Sequence, residues 1–201
     1  MKLYYSPGAC SLSPHIVLHE AGLAFDAVLA STKTHKLQDG TDFYTINELG
    51  YVPVLELDNG ERLREGPAIV QYIADQVPAK NLAPANGTMD RYRLQEWLTF
   101  IGTELHKGHS PLFAPGTPED YKPLVREHLQ SRFAWIDKQL AGKDYLMGSF
   151  SVADAYLYTV SRWGQFVGVD TSGLPNLQAF KQRMETRPSV QAALKAEGLI
   201  K

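Results

Sequence analysis

Hydrophobic and polar positions follow two different rhythms along this 201-residue chain, and the change falls near residue 80. Before it, short apolar runs alternate with helical spacing. Lys2–Tyr5 predicts a strand, followed by a Pro7-Gly8 loop. Ser13-Pro14 predicts a helix start, with a hydroxyl at the N-cap and proline at the first helical position. Ile16, Val17, Leu18 and Ala21 continue that helix, and Gly22 is its expected stop. Phe25–Leu29 predicts a second strand. The polar stretch 31–50 carries at most one short helix, around Asp42–Asn47. Val52–Leu57 and Glu61–Arg64 flank Asp58-Asn59-Gly60, a strong hairpin signal. Gly66-Pro67 opens a further helix over Ala68–Gln76, closed by Pro78. The order β-α-β-(α)-β-β-α predicts a small α/β unit with a mixed sheet.

Past a linker at 81–86, every periodic segment is helical: 88–110, 119–140, 152–168, 176–187 and 189–197. Two domains are therefore expected, an α/β one over 1–80 and an all-α one over 87–201. Ser151-Val-Ala-Asp154 has the form of a capping box. On the first of these helices, Leu94, Trp97, Leu98, Ile101 and Leu105 form an apolar stripe. Thr99, Thr103 and His106, spaced by four and three, fall on the roughly opposite face. Such a face ordinarily meets water; lining a cleft between domains is the alternative, and it makes His106 a usable donor to a thiolate.

Composition changes this picture little: 44% hydrophobic, 21% charged and 10% aromatic residues are usual for a globular chain. A formal net charge of −2 points to neither nucleic acid nor an anionic membrane. The N-terminus lacks an apolar signal-peptide core, and no run approaches a membrane span. One cysteine excludes an internal disulfide framework and a Cys-rich metal site. A reducing, cytoplasmic setting is expected.

That cysteine, Cys10, falls in the loop between the first strand and the first helix. There a thiol meets unsatisfied amides and the positive end of a helix dipole, which favours the thiolate. Cys10-Ser11-Leu12-Ser13 is Cys-x-x-Ser, so no second cysteine can resolve a mixed disulfide, and a reactive Cys10 needs an external thiol. Glutathione is the abundant one in a reducing compartment. A small buried hydrophobe is the alternative role for a lone cysteine.

Val52-Pro53 begins a strand, which leaves the Val52 backbone able to pair with a peptide-like ligand; an ordinary strand-entry proline accounts for it equally. Glu65-Gly66-Pro67 lies at a strand end and a helix start, suited to an α-amino acid, although a dipole-favoured acid explains Glu65 alone.

In this order, these elements resemble the glutathione transferases along the whole chain. Lys2-Leu-Tyr-Tyr-Ser-Pro-Gly-Ala-Cys-Ser-Leu-Ser13, Tyr51-Val-Pro-Val-Leu55, Glu65-Gly-Pro-Ala-Ile-Val-Gln-Tyr72 and Glu104-Leu-His-Lys107 look like the bacterial beta class. In that class a cysteine replaces the tyrosine or serine of other classes. The resemblance implies a thioredoxin-like domain with a mixed four-stranded sheet, a C-terminal helical domain, and a homodimer. It also implies that Cys10 faces the glutathione sulfur, with or without a mixed disulfide. Val52 would pair with the cysteinyl unit beside a cis Pro53, and Glu65 and Gly66 would hold the γ-glutamyl end. His106 would approach the sulfur, with Thr103, Glu104, Leu105 and Lys107 on the same side.

Two positions depart from the family pattern. His35 stands where lysine is common for the glycyl carboxylate, so Lys33 or Lys36 could substitute for it. Thr99 stands where asparagine is common. The implied activity is conjugation of glutathione to hydrophobic electrophiles, a detoxifying reaction, with thiol–disulfide exchange as a further mode. A non-catalytic binder of glutathione or of apolar ligands, using Phe113, Trp163 and Phe166, is the rival. No metal is expected: His15 and His19, four apart, supply only half a site. Ser151 and Asp154 are assigned to folding, and Tyr4 and Tyr5 to the strand.

Overall fold

The computed structural model describes residues 1–201, which divide into two units, Met1–Ala83 with Arg187–Lys201, and Pro84–Thr186. In the first unit, β1 (Lys2–Tyr5) leads into α1 (Leu12–Ala21) and β2 (Asp26–Leu29). A single 3-10 turn, Phe43–Thr45, precedes β3 (Val54–Glu56), β4 (Arg62–Arg64) and α2 (Gly66–Gln76). The sheet order is β2-β1-β3-β4, with β1 and β2 parallel and the other pairs antiparallel, the expected mixed four-stranded sheet.

Strand alternation sorts the core. Leu3 pairs with Leu55, and both are fully buried; Tyr4 pairs with Val54 in the cluster containing Ala30, Phe43 and Val52. Regular pairing of β3 starts at Val54, two residues later than the pattern predicts, because Pro53 has no N–H to give a ladder.

The start of α1 also differs from expectation. Ser11, not Ser13, is the flanking residue, and Pro14 falls third in the helix, still within the turn where a missing N–H costs nothing. The Ser11 hydroxyl serves the loop instead, donating to Ser6 O at 3.2 Å and accepting from Ser6 N–H at 3.1 Å. Gly22 ends the helix in the left-handed conformation (φ 69°), as its sequence position predicts. Every residue from Leu12 to Leu18 is buried, because α1 packs on both α2 and the last helix, α9 (Pro188–Ala196).

By its contacts α9 groups with the first unit, although the sequence pattern runs it on with the helical stretch 87–201. Arg187–Lys201 packs with the first unit, where Arg187 and Ser189 both bond the carboxylate of Glu20. Helical periodicity marks which face of a segment is apolar, but not which body that face meets.

The second unit is helical: α3 (Met89–Phe100), α4 (Lys107–Phe113), α5 (Lys122–Leu140), α6 (Val152–Ser161), the one-turn α7 (Gly164–Val167) and α8 (Pro175–Glu185). A π-helical stretch, Ile101–His106, joins α3 to α4 within one continuous rod. All of α6 is buried. Its N-terminus is held by Asp154, whose Oδ2 accepts from the Ser151 N–H (2.8 Å) and hydroxyl (3.0 Å), while Oδ1 accepts from the Leu146 N–H (2.9 Å). The capping box is thus also a tie to the preceding loop. No helix is long and apolar enough to cross a membrane.

Candidate functional site

The loop after β1 is a chain of short local bonds. Ala9 N–H donates to Ser6 O, Leu12 N–H to Ala9 O, and Ser13 N–H to Cys10 O. Cys10, half-buried, donates from Sγ to the carbonyl oxygen of Val52 at 3.2 Å. This bond modifies the expectation of a cysteine committed to the helix amides: a carbonyl acceptor matches a thiol, not a thiolate. Val52-Pro53 is a cis peptide, and both residues are buried.

Three further predicted residues gather around the same strand entry. A Cβ on Gly66, the first residue of α2, would stand 3.9 Å from the Pro53 ring. Glu65, exposed, adopts φ 69°, a region that non-glycine residues enter rarely and often at functional positions. His35, also at positive φ (51°), donates from Nδ1 to Gly50 O at 3.2 Å and lies 4.7 Å from the Tyr44 ring. A side chain on Gly50 would strike His35 Nδ1 at 2.7 Å, so glycine is required there for His35 to take this position. Lys33 and Lys36 are exposed.

In the second unit the predicted face is split. Thr99 and Thr103 are exposed and linked, the Thr103 hydroxyl donating to Thr99 O at 3.0 Å. The wider π turn rotates His106 away from them. Its Nδ1 lies 2.6 Å from the Tyr156 hydroxyl, and its ring stands edge-on to Trp163 at 4.9 Å. Burial first, then the charges of Lys107 and His109, pushes its pKa down to about 4, so the imidazole is neutral at physiological pH.

Two neighbours have side chains engaged within the helical unit. The Leu105 side chain is fully buried in the core. Glu104 accepts from Arg132 Nε at 2.7 Å, with His128 3.6 Å away, so its carboxylate is paired to α5. Lys107 is exposed. Of the aromatic residues singled out, Trp163 is buried, while Phe113, 6.1 Å from it, and Phe166 are exposed.

Residues without a sequence signal complete these arrangements. Glu197 accepts from Gly8 N–H at 2.8 Å and lies 2.9 Å from His15 Nδ1, so His15 is a structural partner of the Cys10 loop. His19 stacks on His15 at 5.2 Å. Tyr156 is the other such residue; it lies on a helix buried throughout, where a tyrosine reads simply as core.

A cysteine loop set against a cis-proline strand entry on a mixed sheet, followed by a helical unit, defines a thioredoxin-like thiol-handling protein. The profiles described as "Glutathione S-transferase, N-terminal domain" and "Glutathione S-transferase, C-terminal domain" match residues 8–76 and 100–188. Glutathione S-transferase GstA of Escherichia coli O157:H7 is 48% identical over 200 residues, covering 99% of this chain and all of that one. The structure of a sphingomonad glutathione S-transferase complexed with glutathione is 51% identical, with a TM-score of 0.95 and full coverage of both chains. The beta-class glutathione S-transferase of Sphingomonas chungbukensis is 51% identical, with a TM-score of 0.96 over the full length of both. The chain belongs to the glutathione S-transferase family, in its bacterial beta class.

Proposed function

We propose that this chain binds glutathione along the Val52-Pro53 strand entry and conjugates it to hydrophobic electrophiles. The observation that carries this is the Cys10 Sγ bond to Val52 O, which puts the lone thiol on the backbone edge that a peptide ligand would use. A ligand N–H paired with that carbonyl displaces Cys10 Sγ, which then meets the ligand's sulfur. Glu65 and Gly66 are assigned the γ-glutamyl end, and His35, already tied to Gly50, the glycyl carboxylate. In the helical unit, Thr99, Thr103, Glu104, Leu105 and Lys107 are assigned supporting contacts, Leu105 through its backbone only. His106 is assigned as a neutral donor of the kind that suits a bound thiolate.

In conjugation the glutathione sulfur attacks the electrophilic carbon, the leaving group departs with its electron pair, and the thiol proton goes to solvent. In exchange, the Cys10 sulfur attacks glutathione disulfide, forming a mixed disulfide and releasing one glutathione thiolate. A homodimer in the cytoplasm is part of this proposal. The exposed Tyr44, Leu49 and Tyr51 of the first unit are the apolar surface that a twin would cover.

Mass spectrometry of the purified protein, with and without reductant, tests the site. The expected result is a glutathione-sized adduct on the Cys10 peptide that reductant removes, together with turnover of an aromatic electrophile. Glutathione affinity without turnover of any electrophile would mark a binding protein on this fold instead.

A further inference from the structure

Two histidines three residues apart on one helical rod meet unlike partners. His109 Nδ1 lies 2.7 Å from the Leu105 carbonyl oxygen. A carbonyl only accepts, so His109 carries its proton on Nδ1, and its Nε2 is buried without a partner. His106 Nδ1 instead faces the hydroxyl of Tyr156, which can donate or accept.

The geometry decides between the two. Their separation of 2.6 Å is shorter than an N–H donor usually gives, roughly 2.7–3.2 Å. Phenol is also the better proton donor of the pair and imidazole nitrogen the better acceptor. Tyr156 sits on the fully buried α6, so its hydroxyl cannot turn to bulk water for an acceptor.

We infer that the Tyr156 hydroxyl donates to Nδ1 of His106 and fixes that ring as its Nε2–H tautomer, which makes Tyr156 a positioning residue for the donor at Nε2. The Trp163 ring, edge-on at 4.9 Å, limits the tilt of the imidazole. Burial keeps the ring neutral, so no second proton competes for Nδ1. Unlike that of His109, the Nε2 of His106 is not a buried orphan. The tautomer assignment stands on the geometry of the free protein; its catalytic consequence rests on the proposed role of His106.

The ring nitrogens of His106 in 15N-labelled protein provide the test. In the wild type near neutral pH, Nδ1 is expected in the unprotonated chemical-shift range and Nε2 in the protonated range, with a low-field hydroxyl proton coupled to Nδ1. A proton found on Nδ1 would overturn the assignment, and this holds whether or not any variant folds. Tyr156→Phe keeps the ring but removes the donor. Its two nitrogen shifts are expected to move toward each other, and kcat/KM for glutathione to fall about fivefold, the worth of one net hydrogen bond. Shifts unchanged from the wild type would overturn the proposal. Shifts that converge while conjugation is unaffected support the tautomer assignment and overturn the role given to His106.

Discussion

Glu197 and His15 are 182 residues apart in the chain, yet Oε1 of one lies 2.9 Å from Nδ1 of the other, with both side chains buried. The second oxygen of the same carboxylate accepts from Gly8 N–H, two residues before Cys10. A carboxylate at the end of α9 therefore anchors the loop that carries the lone thiol.

Removing that carboxylate should destabilise the fold strongly. Glu197→Ala removes the carboxylate facing buried His15 and the bond to the Gly8 N–H, and should cost about 3 kcal/mol. The expected outcome is a lower urea midpoint at unchanged slope. Glu197→Gln, which keeps one acceptor, should lose less, and an Ala variant as stable as wild type would show that the buried tie contributes nothing.

Asp154 is the corresponding anchor in the helical unit. Its buried carboxylate accepts from Ser151 and from Leu146 N–H, so Asp154→Ala orphans backbone donors at the start of α6. About 2–4 kcal/mol of stability should be lost. Ser151→Ala, which keeps both backbone bonds to Asp154, should cost about 1 kcal/mol or less. Chemical denaturation of the two variants side by side checks this ordering.

Stability should fall as the solution is acidified from pH 6.5, the ordinary value of histidine, toward about 4, the value for His106. In that window the unfolded chain takes up a proton that the folded ring refuses, so the unfolded state gains with each step down in pH. His19 and His109, also lowered by burial, add in the same direction. Above the window all three are neutral in both states and contribute no slope. Urea midpoints measured across the range should flatten in part for His106→Asn, whereas an identical slope would argue that His106 titrates normally when folded.

Cys10→Ala separates the two chemistries assigned to the site. The variant should retain part of its conjugation of an aromatic electrophile, because the remaining glutathione contacts persist. It should lose reduction of glutathione mixed disulfides, which needs a sulfur at position 10. Parallel assays of both activities decide, and equal losses would show that one role of Cys10 underlies both.

Much of this was legible from residue order, for local reasons. Asp58-Asn59-Gly60 turns the β3–β4 hairpin, Gly22 stops α1, and Ser151–Asp154 caps α6, because each depends on dihedrals and bonds within a few residues. The site fragments around Cys10, Val52-Pro53 and Glu65-Gly66 were legible because strand ends and helix starts carry proline, glycine and cap residues.

What stayed hidden depends on partners remote in sequence. The apolar stripe of α3 reads as one regular helix, so nothing in its spacing announces the π turn that swings His106 from Thr103 toward Tyr156. Nor does the spacing announce that Arg132 bonds the Glu104 carboxylate, or that the Leu105 side chain enters the core. The sequence by itself determined the order of elements, the mixed sheet, the helical second half and the place of Cys10 before α1. Only the tertiary structure decided that Cys10 donates to Val52, that α9 belongs with the first unit, and that His106 is a neutral, buried-side partner of Tyr156. Local propensity acts through neighbouring dihedrals, whereas hydrogen-bond partners and the protonation of buried groups are set by whichever distant side chains the packed core brings within reach.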